Sequence, residues 1–125
     1  MSKLISRFIL FSQQIRLYHW GTKSYARHVA SGSLYEKIDG MVDRFVETLQ
    51  GKLDDRRISY DNIKLKLKNY KDDEIENVLV HFKEFLVNDV ETYLDEMNMS
   101  NTDLKNIRDE MLGLVNQSLY LFSLK

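Results

Sequence analysis

The sequence predicts an all-α protein: a four-helix bundle with one long crossover between the second and third helices. Three observations carry this. Apolar residues recur at spacings of three and four in four separate stretches of the 125-residue chain. Proline is absent and glycine occurs only 5 times, so nothing in the composition opposes long helices. The intervals between the stretches run short, long, short, and a bundle of adjacent antiparallel neighbours would not need the long one. With 43% hydrophobic and 30% charged residues, the chain has the balance of one folded domain over residues 1–125.

The first helix is expected from Ser2 to Trp20, with Leu4, Phe8, Phe11, Ile15 and Tyr18 as its buried stripe and Gly21 ending it in a left-handed conformation. Ser24 is placed to cap the second helix, whose stripe is Leu34, Ile38, Met41, Phe45 and Leu49 as far as Gly51. The third is expected to open at Asp72, Asp73 and Glu74, where acids suit the positive end of the helix dipole. Its stripe is Ile75, Val78, Leu79, Phe82, Leu86, Val90, Tyr93 and Met97. Ser100 and Asp103 read as a capping box for the fourth, buried through Leu104, Ile107, Met111, Leu114 and Phe122.

Each short interval makes its two helices an antiparallel hairpin. Lys52 to Lys71 is the crossover. A helix of about 25 residues is about 38 Å long. Some 20 residues of extended chain, at about 3.3 Å each, cover that length. The connection can therefore return along the whole bundle, which is the ferritin-like order. Within it Ile63, Leu65 and Leu67 alternate with Lys64, Lys66 and Lys68, a pattern that reads equally as a strand or a short helix.

Cysteine is absent, which excludes disulfides, thiol catalysis and cysteine-ligated metals. No apolar run approaches the roughly 18 residues of a membrane span, and the start lacks a cleavable signal pattern. A cytoplasmic protein without a membrane partner is expected. The net charge of -1 hides an asymmetry, because residues 1–35 carry five cations and no acid while residues 72–125 are strongly acidic. Packing of basic against acidic elements accounts for this better than a nucleic-acid partner does.

The chemistry concentrates on the second helix. At 100° per residue, Asp39, Asp43 and Glu47 share the face opposite the buried stripe, with His28 about 60° away and Tyr35, Val42 and Val46 flanking. Asp43 and Glu47, four apart, are spaced to hold one cation, and mixed imidazole and carboxylate ligands suit iron, manganese or zinc. Along one helix His28 and Asp43 lie about 22 Å apart. Two copies packed antiparallel about a two-fold axis would bring them together. His81, one step off its stripe, is given no role.

His19-Trp20, His28, then Asp43 and Glu47, followed by Leu49-Gln50-Gly51, resembles the ferroxidase signature of the Dps mini-ferritins. The string Lys23-Ser24-Tyr25-Ala26-Arg27-His28 is similar to short mini-ferritin-like proteins of phages and large viruses. The resemblance covers residues 18–51. It implies ferrous iron held between subunits by His19 and His28 of one chain and Asp43 and Glu47 of its mate. It further implies oxidation by peroxide or dioxygen, and a homo-oligomer that is at least a two-fold dimer and at most a shell. Two departures stand out. The interval from His19 to His28 is three residues shorter than the family's, and Gly32 stands where the family has an Asp. Asp39 is the nearest carboxylate on that face. The alternative function is a non-catalytic bundle, for a viral member in the host cytoplasm, that uses the same face for assembly or partner binding. A third reading, nucleic-acid compaction through Lys52 to Lys71, rests on composition alone.

Overall fold

A computed structural model describes residues 1–124, and among them there are four helices and no strand. Helix α1 is Ser2–Gly21 and α2 is Tyr25–Gly51. Helix α3 is continuous through Ile75–Glu84, a π-helical turn Phe85–Val90, and Glu91–Glu96. Helix α4 is Thr102–Ser123. None of them is long and apolar enough to cross a membrane among the described residues.

The five stripe residues of α1 are all buried. Its end differs from expectation, because Gly21 has no positive φ and is simply the last helical residue. The break comes at Thr22, which is extended and whose N–H donates to the Tyr18 carbonyl at 2.9 Å. Ser24 does cap α2: its Oγ accepts from the Arg27 N–H at 3.2 Å.

In α3 the acids Asp72, Asp73 and Glu74 form a turn ahead of the helix, which begins only at Ile75. The π turn holds an extra residue, and it rotates everything beyond it. The buried stripe therefore continues from Val90 to Leu94, while Tyr93 and Met97 are only partly buried. Arg108 of α4 donates to the Leu86 carbonyl at 3.0 Å, supplying a partner inside the distorted turn. The Ser100–Asp103 box does not form. Asn101 is buried and turned inward, and its amide donates to the Leu94 carbonyl at 2.8 Å, while Asp103 pairs with Lys52 at 2.9 Å.

Residues 52–71 are neither strand nor helix. They are held at intervals along α1. Arg56 adopts a left-handed φ of 58° in the opening turn. Ile58 is buried, with its N–H on the Gln50 side chain at 3.2 Å. Asp61 to Lys64 lie beside Ser2, Lys3 and Ser6. Farther along, the buried Gln14 amide grips Lys68, accepting from its N–H at 2.9 Å and donating to its carbonyl. The Tyr18 hydroxyl then donates to Asp72 at 2.6 Å. The two ends of the bundle are tied separately, Arg27 to the Asp72 carbonyl at 3.1 Å and Lys52 to the Ser100 carbonyl at 2.8 Å. Between them Phe8, Phe45, Phe82 and Phe122 are fully buried, and Phe11 stacks on Phe82 at 3.8 Å between centroids.

Candidate metal centre

The tight connection Thr22–Ser24 folds α1 back on α2, which brings His19, three residues before it, against His28, four residues after it. Their rings stack at 3.8 Å between centroids and 16° between planes. His19 Nδ1–H donates to the His28 carbonyl at 2.7 Å, and His28 Nδ1–H donates to the His19 carbonyl at 2.9 Å. Carbonyls only accept, so both Nδ1 atoms carry a proton, and in the neutral form of each ring the lone pair is on Nε2. Neither Nε2 makes a hydrogen bond among the described residues. A tautomer set by a backbone carbonyl is the support metal-ligating imidazoles ordinarily receive.

The surroundings hold this pair in place. The Ser31 hydroxyl lies 3.3 Å from His19 Nδ1 and donates to the His28 carbonyl at 3.2 Å. Tyr35 meets the His19 ring edge-on at 5.3 Å, and the Arg16 guanidinium covers Tyr35 at 4.9 Å. Gly32 lies under the His19 ring, whose Cε1 would be 2.8 Å from a Cβ at that position. A side chain at residue 32 and this placement of His19 compete for one space.

The carboxylates divide. Asp43 and Glu47 are exposed and make no ion pair among the described residues. Asp39 is engaged within the chain: it accepts from the Ser12 hydroxyl and pairs with Arg16 at 3.2 Å. It therefore faces α1, because that helix lies over one side of the acidic face. Among the described residues no three His or carboxylate groups of one chain converge on a point. The apolar flank also differs from expectation. Tyr35, Val42 and Val46 are half-buried against the chain's own core, whereas Trp20, Tyr25 and Val29 beside the His pair are exposed at 67%, 81% and 51%.

Below the pair a polar knot closes this end of the bundle. Asp72 accepts from the hydroxyls of Tyr18 and Thr22, which hold its carboxyl below the ordinary carboxylate value. Burial and the bond to Asp72 push the Tyr18 hydroxyl up. Arg27 reaches Tyr18 and Glu76 and lies over the Phe122 ring. His81 is exposed on α3 and lines an open cleft of about 260 Å³ with Arg7, Lys66 and Tyr70.

The family DUF5856, described as a family of unknown function, matches residues 19–122. The chain belongs to that family. The match to DUF5856 begins on His19 itself and takes in His28, Gly32, Asp39, Asp43 and Glu47. No curated protein and no solved structure matches the chain.

Two features of this DUF5856 member lay outside the sequence reading. One is the reciprocal lock of the imidazoles within a single chain. Its signal was present, since His19 and His28 lie within a helical turn or so of the short Thr22–Ser24 connection, on either side of it. The other is the slot at Gly32, which had no signal because it depends on how closely α1 and α2 approach.

Proposed function

We propose that this protein is a subunit of a Dps-like, ferritin-like assembly that takes ferrous iron at a two-fold subunit boundary and oxidises it. The observation that carries the reading is the His19–His28 pair, with both Nδ1 protons spent on carbonyls and both Nε2 atoms left without a hydrogen bond among the described residues. The order of helices and the crossover lying along α1 agree with the ferritin-like order. The donor chemistry fits the ion: neutral imidazole nitrogen takes iron(II), and the exposed carboxylates Asp43 and Glu47 of a mate would favour the iron(III) product. Manganese or zinc would suit the same set. Trp20, Tyr25 and Val29 give the two-fold partner an apolar surface next to the imidazoles. Each iron(II) gives up one electron, and peroxide or dioxygen is the acceptor.

Asp43→Asn and Glu47→Gln remove an anionic ligand with little change of shape, so each is expected to weaken iron binding by about tenfold or more. His28→Ala should weaken it too, and His81→Ala should leave it unchanged. Ferrous titration followed by absorbance under peroxide reads this. Equal oxidation by wild type and the Asp43/Glu47 double variant overturns the ferroxidase reading. In that event the bundle is a non-catalytic assembly protein, a reading favoured by one observation: Arg16 and Ser12 already occupy Asp39.

A further inference from the structure

We infer that Gly32 is a positioning residue: by leaving out a side chain it makes the slot in which His19 lies, and so sets the tautomer of the His19 imidazole. The argument is steric. A Cβ at residue 32 would stand 2.8 Å from His19 Cε1 and 3.2 Å from its Nδ1, closer than carbon packs against such atoms. The ring is the free end of a side chain with two rotatable bonds, so it would swing away rather than distort either helix. Swinging away breaks the 2.7 Å bond to the His28 carbonyl and the 3.8 Å stack together. The His28 ring then loses the neighbour that covers it, although its own carbonyl partner stays in the backbone. With Gly32, this half of the site presents nitrogen donors alone, a set that prefers borderline cations such as zinc or iron(II) over magnesium or calcium. The cation preference rests on the metal-binding reading above, whereas the positioning role does not.

The test is nitrogen NMR of histidine-labelled wild type and Gly32→Ala, joined to titration with Zn²⁺ as probe and a thermal melt. Wild type is expected to show His19 and His28 as the Nδ1-protonated tautomer. Gly32→Ala is expected to lose that signature at His19, bind Zn²⁺ about tenfold more weakly or worse, and melt close to wild type. If Gly32→Ala is destabilised instead, adding His19→Ala should restore the melt, because the conflict is with that ring. Failure to restore it overturns the inference. Tautomers identical in wild type and Gly32→Ala also overturn it. A wild type that binds no Zn²⁺ but shows both tautomers, with that of His19 lost in Gly32→Ala, upholds the positioning role and defeats the metal reading.

Discussion

Phe45 illustrates what single residues contribute to this bundle. Its ring is fully buried and packs against Phe8 at 5.1 Å between centroids. Phe45→Ala is expected to cost about 3–5 kcal/mol, the loss of transfer energy plus a cavity, read by denaturant unfolding. A loss below 1 kcal/mol would mean that the core collapses freely around the site. Tyr25 and Val29 lie on the same helix but outside the core, so their side chains contribute little to the isolated subunit.

At the scale of elements, the crossover is the part least supported by its own structure. It has no helix or strand bonds of its own along residues 57–71, and Ile63 and Leu67 are only partly covered. Its hydrogen-bonded attachment to α1 includes the two bonds between the Gln14 amide and the Lys68 backbone. Gln14→Leu keeps the apolar bulk and removes both bonds. The expected result is a loss of about 1–2 kcal/mol, with faster amide hydrogen exchange at residues 64–70 and little change in α2 or α4. Uniform acceleration across the chain would show the crossover to be part of the global folding unit. The π turn of α3 follows the same logic in reverse, since its Leu86 carbonyl borrows the Arg108 guanidinium from the neighbouring helix.

Two expectations belong to the whole molecule. The first is assembly through the outer face of α2. Val29 is half-exposed and is not part of the hydrophobic core, so Val29→Asp should leave the helical content of the chain intact. Sedimentation is expected to show a dimer or larger for wild type and a monomer for Val29→Asp, because a charge in a closed interface lacks a partner. A monomeric wild type would defeat the two-fold arrangement. The second is acid stability. Asp72 is held below its ordinary value by the Tyr18 and Thr22 hydroxyls, so the unfolded chain binds its proton more readily than the folded one. Its contribution is therefore complete above about pH 4 and is lost as pH falls through the lower folded value. Asp72→Asn should lower stability at neutral pH and flatten the acid limb, measured by denaturant unfolding between about pH 3 and 7. Asp103 and Glu91 are depressed in the same direction, by Lys52 and by Lys105 with Arg108, so part of the limb will remain.

The helices were legible because helix formation is decided by neighbours in sequence. A stripe such as Leu34, Ile38, Phe45 and Leu49 repeats the helical period, and Ser24 meets its own N–H partner three residues away. The lengths of the intervals set the long connection over residues 52–71 apart from the two short ones, since they bound how far the chain can travel. His28, Asp39, Asp43 and Glu47 were singled out as types at a spacing on one helix face, whereas His19 entered only through the mini-ferritin resemblance. Tertiary structure decided the rest. The extra residue in the π turn moved burial from Tyr93 to Leu94. Arg16 and Ser12 drew Asp39 toward α1, and Asn101 turned inward instead of completing a capping box. The His19 ring came to rest on Gly32. Each of these depends on the rotation and separation of two packed helices, which period and spacing along one chain leave free.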